Sequence, residues 1–538
     1  MLTPAEHRAA RLGGWFGIGL LAAAIGIPVA ALLAGSTGAG FGVDPYLLRI
    51  TRFTLLQAGL STALSIALAI PLARALARHP ALPGRSLLLR LFAIPLGLPP
   101  LVAALGLIVV WGRQGIVNAG LLRLGVDQPV SIYGLSGILM AHVFFNLPLA
   151  TRLMLMGLER LPAEYWKNAA ILGMTRANVF RLIEWPAIAQ LAGGAAGLVF
   201  MLCVTSFTLV LVLGGGPAAT TLEVAIYQAL RFDFDPPRAV LLALVQIALT
   251  SAVLIALRVL KSPAEEAPQL GLSPARPDVA PGLPALADRV LILASALFVI
   301  APLAATLVAG LRADLVRILT DALLWRAILT SLAVAAAAAA TSTMLALLLV
   351  RARHSVAESQ TAFAGRILSW LAGIAGSLVL LAPPVVMGAG WFLLLSGATR
   401  ALALPLMIIV LINAMMALPF VIRVIEPAHR TAMSRNGRLC LSLGVTGINR
   451  LRRVDLPALA RPLATAFAFA MALSLGDLGA VALFGGDRIV TLPWLLLQKM
   501  GSYRTADAAG IALILAVLCM GLMALSDRTG AGREAARP

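Results

Sequence analysis

The sequence predicts an all-α integral membrane protein, with about twelve transmembrane helices in two parallel repeats of six. Hydrophobic residues make up 60% of the 538 positions and charged residues 12%, whereas an ordinary soluble domain is about a quarter charged. Apolar runs recur along the whole chain, each long enough to cross a bilayer as a helix. A polar stretch with the same landmarks occurs twice. These three observations define the fold class.

Each apolar run is a candidate span, and the alternation typical of a membrane β-barrel is absent. The first run follows Arg8 and Arg11 and exceeds the apolar region of a signal peptide, so we interpret it as an uncleaved span. The predicted spans lie near residues 13–35, 51–73, 88–111, 132–157, 187–213, 238–260, 290–311, 325–350, 367–396, 401–422, 459–484 and 508–526.

Residues 261–288 are rich in proline and alanine and lack apolar periodicity, which is typical of a linker. We therefore expect a first half at residues 1–260 and a second half at residues 289–538, with six spans each.

The net charge of +19 comes almost entirely from arginines in short loops between the apolar runs, which argues against a nucleic-acid partner. Most of these basic residues fall on the side that holds both termini. By the positive-inside rule, both termini, the linker and both polar stretches are predicted to be cytoplasmic, and the lipid bilayer surrounds the spans.

The repeated stretch runs from Leu147 to Pro186 and again from Leu418 to Pro457, 271 positions later. In each copy a glycine follows the first proline by 25 residues and precedes the last proline by 13. We expect two cytoplasmic elbows, at about 160–186 and 431–457. The glycine would permit the turn, and the last proline would begin the next span.

Further landmarks recur in the same order and at nearly the same spacing. They indicate a parallel duplication, related by an approximate two-fold axis along the membrane normal, with a transported ligand expected near the midplane between the halves. The matched pairs are Leu98-Pro99-Pro100 with Ala382-Pro383-Pro384, Gly214-Gly215 with Gly485-Gly486, and Thr221-Leu222-x5-Gln228 with Thr491-Leu492-x5-Gln498.

No catalytic or metal-binding motif is present in the sequence. The phosphate-binding loop and the common zinc and serine hydrolase motifs are absent, the five histidines are far apart, and the three cysteines are scattered. We therefore expect a protein that is not an enzyme and has no catalytic residue, metal site or cofactor of its own. Energy for transport would come from an ion gradient or from another subunit.

The elbow spacing resembles the coupling motif of binding-protein-dependent ABC importer permeases: Glu-Ala-Ala, three residues, Gly, nine residues, Ile, one residue, Leu-Pro. The matching positions are Ala169, Gly173, Ile183 and Pro186 in the first copy, and Gly444, Val454, Leu456 and Pro457 in the second. Lys167 and Arg438 stand at the glutamate position, and Trp185 replaces the penultimate leucine. The resemblance therefore supports the elbow geometry but no glutamate-specific salt bridge.

This resemblance implies the type I importer permease fold in a bacterial inner membrane. Two copies of a cytoplasmic ABC ATPase, which bind ATP and Mg, would dock on the elbows, and a periplasmic binding protein would deliver the ligand. The expected coupling residues are Ala169, Ala170, Leu172, Gly173, Met174 and Pro186 in the first elbow, and Leu443, Gly444, Val445 and Pro457 in the second.

The whole chain resembles the branch in which one polypeptide supplies both membrane halves. Its run from Ser474 to Ala509 is most similar to permeases for thiamine and thiamine pyrophosphate, while fused ferric-iron permeases share the architecture. An importer of another small solute, an ion-driven secondary transporter and a non-transporting scaffold are the alternatives. An ion-driven carrier would usually carry several intramembrane carboxylates.

Five residues are candidates for contact with the ligand. Asp477 lies in an apolar run, where it could meet a cation such as thiazolium, or could serve a structural hydrogen bond beside Gly476 and Gly479. Two pairs are spaced by one helical turn, Glu223 with Tyr227 and Trp494 with Gln498. For these four, the sequence favours membrane-interface anchoring or docking of the binding protein over ligand contact.

Overall fold

A computed structural model describes residues 3–35, 44–126, 128–259, 276, 282–357, 363–379, 382–395, 403–486 and 488–531. The regular elements in these ranges are helices, which confirms the all-α prediction. Those before residue 260 are α1 (Pro4–Gly35), α2 (Pro45–Arg78), α3 (Arg85–Leu91), α4 (Ile94–Gly97), α5 (Pro100–Trp111), α6 (Ile116–Arg123), α7 (Leu135–Glu159), α8 (Ala163–Ile171), α9 (Arg176–Val179), α10 (Trp185–Val204), α11 (Thr208–Leu213), α12 (Leu222–Arg231) and α13 (Pro236–Val259).

The helices after residue 281 repeat this order with fewer interruptions. They are α14 (Leu283–Arg312), α15 (Leu315–Thr320), α16 (Ala322–Ala357), α17 (Phe363–Leu378), α18 (Pro384–Leu395), α19 (Ala403–Ser442), α20 (Gly447–Arg450), α21 (Leu456–Leu475), α22 (Gly479–Phe484), α23 (Leu492–Gly501) and α24 (Thr505–Ala531).

Eleven helices among the described residues are long and apolar enough to cross a membrane, close to the expected number. Two predicted spans are interrupted at paired prolines: 88–111 breaks at Pro99-Pro100, and 367–396 divides into α17 and α18 at Pro383-Pro384. A proline disfavours helical backbone at the residue before it, and Leu98 accordingly is extended, with ψ of 131°. The paired prolines are therefore breaks within the predicted spans.

The described chain forms two compact units that cut across the predicted halves. One unit contains Met1–Gly42, Ala225–Ile247 and Ala313–Pro538, and the other contains Val43–Val224 and Ala248–Arg312. Helix α1 consequently packs with α16, α17 and α18, whereas α14 packs with α2, α3 and α5. The first long helix of each sequence half thus joins the helices of the other half. The predicted linker, residues 261–288, lies mostly outside the described residues, and its last six residues belong to α14, which begins at Leu283. The boundary between the two sequence halves stays a prediction.

The contacts of α1 and α14 are equivalent in the two units. A side chain on Gly106 of α5 would meet the Pro302 carbonyl oxygen of α14 at 2.5 Å. A side chain on Gly390 of α18 would meet the Pro28 carbonyl oxygen of α1 at 2.4 Å. Small residues let membrane helices approach each other closely. The two glycines are 284 positions apart, which is the offset of the proline pairs that precede them.

A side-chain hydrogen bond to a helix start is repeated as well. The Leu222 N–H at the start of α12 donates to Thr54 Oγ1 of α2 at 3.0 Å. The Leu492 N–H at the start of α23 donates to Ser331 Oγ of α16 at 2.8 Å. The first N–H groups of a helix lack partners within it, so each bond satisfies a buried donor. Both compact units therefore contain the same internal arrangement.

Candidate functional site

The first elbow is a helix that ends at a left-handed glycine. Helix α8 ends in a Schellman motif, in which the Gly173 N–H donates to the Ala170 carbonyl at 3.1 Å and the Met174 N–H donates to the Ala169 carbonyl at 3.0 Å. Gly173 has φ of +58°, a conformation that costs little only for glycine. Thr175 then caps α9 by accepting a bond from the Asn178 N–H.

The second elbow has the same turn but a different approach. The Gly444 N–H donates to the Leu441 carbonyl at 3.2 Å, and the Val445 N–H donates to the Cys440 carbonyl at 2.9 Å. Gly444 has φ of +65°. Its first helix is not separate from the preceding span, since it forms the end of the 40-residue α19.

The two elbows differ at Pro162, which separates the first elbow from the preceding helix. In the first copy, α7 ends before Pro162 and α8 begins after it. The residue 271 positions later is Met433, which carries a backbone N–H and can continue a helix. The second elbow therefore lies at the end of a helix that also spans the apolar core.

The last proline of each copy is the second residue of an apolar helix, α10 or α21, but no break precedes that helix. Pro186 lies in a continuous helix from Arg176 to Val204, and Pro457 in one from Gly447 to Leu475. A π-helical turn precedes each proline, at residues 180–184 and 451–455. A proline inside a helix cannot donate to the preceding turn and clashes with its carbonyl. The wider π turn accommodates this, so the second helix of each elbow runs directly into a span.

The tip of each elbow presents apolar side chains outside the core. Leu172 is 74% exposed and Leu443 is 67% exposed. Ala169 is buried instead, in a small cluster with Trp166 and Val179. Of the ten expected coupling residues, only Ala169 is buried; Met174 and Val445 are half-buried, and the other seven are exposed.

A buried carboxylate lies at the base of the first elbow. Glu184 is in the π turn, two residues before Pro186, and is fully buried. Its Oε2 accepts from Arg74 Nε at 2.7 Å and lies 3.6 Å from Arg78, while its Oε1 accepts from Arg276 at 3.0 Å. A buried carboxylate needs such partners, because an unpaired buried charge is strongly destabilising.

The second elbow has an acidic residue at the equivalent position. Asp455 is buried in its π turn and lies 3.6 Å from Arg450, which also reaches Glu6 of α1 at 3.7 Å. Glu184 and Asp455 are 271 positions apart. Sequence reasoning missed them, although an acidic residue two positions before each repeated proline was visible.

The candidate ligand residue Asp477 lies at a break rather than inside a helical span. Helix α21 ends at Leu475 and α22 begins at Gly479. One Asp477 carboxylate oxygen accepts a bond from the Ala480 N–H at 3.3 Å, which satisfies a free donor of the first turn of α22. Asp477 therefore makes a structural hydrogen bond, which is the alternative that the sequence offered to ligand contact.

The two spaced pairs lie on equivalent short helices, α12 and α23. Glu223, Tyr227 and Trp494 are buried, while Gln498 is exposed. Aromatic side chains that anchor a protein at the membrane surface need contact with that surface. The burial of Tyr227 and Trp494 therefore argues against anchoring. Instead, the Arg231 guanidinium lies 5.8 Å from the Trp494 ring centroid and donates to the Gly485 carbonyl at 2.7 Å.

No group of three or more histidine, cysteine, aspartate or glutamate residues that could hold a metal ion occurs in the described part of the chain. The three cysteines are buried and unbridged.

Comparison with known proteins identifies the family of this chain. Residues 65–262 match the family described as "Binding-protein-dependent transport system inner membrane component". A "Thiamine transport system permease protein ThiP" from Brucella suis is 49% identical over 98% of this chain and 96% of its own length. The chain belongs to the binding-protein-dependent transport permease family.

Two further relatives of the permease carry the same name. The Salmonella typhimurium protein is 43% identical over 97% of this chain and 98% of its own length. The Escherichia coli protein is 42% identical over 90% of this chain and 89% of its own length. The predicted resemblance to this family is confirmed. The permease is a multi-pass inner-membrane protein and a transport subunit rather than an enzyme.

Proposed function

We propose that this permease is the membrane subunit of an ATP-driven importer that passes thiamine or its phosphate esters from a periplasmic binding protein to the cytoplasm. The names of relatives aligned over nearly the whole chain support the substrate. The observation that carries the mechanism is the exposed glycine elbow, present twice at one spacing.

In this proposal each elbow binds one copy of a separate cytoplasmic ABC ATPase, which also binds ATP and Mg. The exposed Leu172 and Leu443 enter a cleft on each ATPase copy, and the left-handed glycines hold them at the tip. Each elbow continues without a break into a span through its π turn. A displacement of the tip can therefore move a membrane helix directly.

The two elbows would transmit this motion through different numbers of long helices. The first is separated from α7 at Pro162 and continues only into the helix that ends at Val204. The second joins α19 on one side and the helix that ends at Leu475 on the other. We expect substitutions in the second elbow to disturb both neighbouring spans.

Asp477 remains our candidate for contact with the thiazolium cation. Its second carboxylate oxygen can serve a ligand while the first caps α22. Thiamine carries a fixed positive charge, and a carboxylate at a helix break between two apolar helices is costly unless it is paired or used. We do not assign membrane anchoring to the four residues of the two spaced pairs. They stay candidates for docking of the binding protein or for ligand contact: Glu223, Tyr227, Trp494 and Gln498.

The proposed orientation places both termini, the linker and both elbows in the cytoplasm, on the basis of the arginine distribution. The permease would thus receive its ligand on the face opposite the elbows.

Reconstitution of the complete importer tests the proposal. The permease, its ATPase and its binding protein are placed in liposomes, and uptake of labelled thiamine is measured with ATP or with a non-hydrolysable analogue inside. We expect uptake that requires hydrolysable ATP and the binding protein, and that survives collapse of ion gradients. Uptake of ferric iron without thiamine would assign the other substrate, and uptake driven by a gradient alone would exclude the ATP-driven mechanism.

A further inference from the structure

Arg276, which lies between the two sequence halves, packs inside the first elbow. The Arg276 side chain is 3% exposed. Its guanidinium carbon lies 3.5 Å from the centroid of the Trp166 ring, and its Nη2 donates to Glu184 Oε1 at 3.0 Å. We propose that Arg276 is a positioning residue, which fixes the first elbow to the span that follows it. This inference rests on the proposed coupling role of the elbows.

Arg276 joins the two parts of the elbow that must move together. Trp166 belongs to α8, before the glycine turn, and packs against Ala169 and Val179. Glu184 belongs to the π turn, after the glycine turn. A guanidinium can stack on an aromatic face and bind a carboxylate with its planar edge at the same time. Arg276 therefore bridges both sides of the Gly173 turn with one side chain.

The bond to Glu184 is not redundant with the other arginines. Arg74 and Arg78 both approach Oε2 of the carboxylate, whereas Arg276 approaches Oε1. A carboxylate offers two oxygens, and each needs a donor when it is buried. Removal of Arg276 would leave Oε1 without the partner that the structure gives it.

The second elbow achieves the same result with its own arginine. Asp455, the repeat equivalent of Glu184, pairs with Arg450 from α20. The position equivalent to Arg450 in the first elbow is Val179, 271 residues earlier, which carries no charge. The first elbow therefore receives from the linker the cation that the second elbow supplies itself. Arg276 and Arg450 are counterparts that come from different parts of the chain.

Spin-label mobility at the two tips tests this assignment selectively. A nitroxide is attached to Leu172→Cys or to Leu443→Cys in the full-length permease without ATPase; the native cysteines are buried. We expect Arg276→Ala to increase mobility at residue 172 but not at 443, and Arg450→Ala to do the reverse. Arg289→Ala, an exposed arginine at the start of α14, is the matched control and should change neither.

The same variants, without labels, are then assayed in the reconstituted importer. We expect Arg276→Ala to lower thiamine-stimulated ATP hydrolysis by at least about tenfold, because loss of one partner of a buried ion pair alone exceeds this factor and the desolvated stacking contact is lost as well. Arg276→Lys retains the charge but not the planar stack, so an intermediate value is expected.

Each outcome supports or overturns the inference. If wild-type permease is active and both Arg276 variants match it in mobility and hydrolysis, Arg276 has no positioning role. Equal mobility increases at both tips would mean general destabilisation and would also overturn it. Should Arg276→Ala fail to fold, Arg276→Lys decides by the same two measurements. An inactive wild-type importer would instead refute the proposed function, while the label measurement would still report on Arg276.

Discussion

Substitution of the elbow glycines gives the sharpest test of coupling, because the structure separates backbone strain from steric conflict. Gly173 and Gly444 have φ of +58° and +65°. A Cβ added at either glycine would meet no atom within 4 Å. The cost of Gly173→Ala therefore comes from the left-handed backbone alone, at about 1–2 kcal/mol. This corresponds to a factor of about 5–30 in the population of the correctly formed elbow.

Two assays measure this loss: recovery of the ATPase with the purified permease, and thiamine-stimulated ATP hydrolysis in liposomes. We expect both to fall for alanine at either glycine, and less for asparagine, which tolerates the left-handed conformation better. Leucine should impair both further, because its side chain would occupy space at the docking tip.

Gly193→Ala is the matched control. Gly193 lies within helix α10, and a Cβ there also meets open space, so alanine should be neutral or slightly stabilising. If alanine and leucine at Gly173 and Gly444 both leave ATPase recovery and hydrolysis at the wild-type level, the elbows are not the coupling sites.

Three further predictions concern Asp477, helix packing and membrane orientation. Asp477→Asn keeps an acceptor for the Ala480 N–H but loses the charge, so this variant should fold normally and lose thiamine uptake. If Asp477→Asn shows normal uptake and only Asp477→Ala loses it, Asp477 serves only as the cap of α22. Gly390→Leu should destabilise the purified permease by about 1–3 kcal/mol, because the new side chain overpacks against Pro28. The midpoint of thermal unfolding should fall, and an unchanged midpoint would contradict this contact. Leu172→Cys in membranes should react with an impermeant maleimide in inverted vesicles and not in intact spheroplasts, and the opposite pattern would reverse the proposed topology.

Much of the candidate site was predictable because its determinants are local. A glycine after a helix indicates a left-handed turn whatever surrounds it, and both elbow glycines adopt that conformation. The course of the chain around the last prolines was not predictable in this way. A proline after a short polar helix fits the first turn of a new helix equally well, and the π turns before Pro186 and Pro457 depend on packing.

The ion pairs beneath the elbows join residues that are far apart in the chain. Glu184 meets Arg74 across 110 positions and Arg276 across 92 positions. No periodicity or motif relates such residues, and the linker composition gave no sign that one of its arginines would be buried. Only the paired acids at Glu184 and Asp455 left a signal in the sequence.

The sequence alone determined the membrane class, the helical fold, the duplication and the elbow positions, because apolar length, repeat spacing and glycine conformation are properties of short segments. The tertiary structure decided which helices share a compact unit. Helix α1 packs with helices of the second half and α14 with helices of the first, with close contacts at Gly390 and Gly106. Other apolar spans contain glycines too, so the sequence does not show which helices meet. It also decided that Arg276 lies against Trp166, since only folding brings these two residues, 110 positions apart, together.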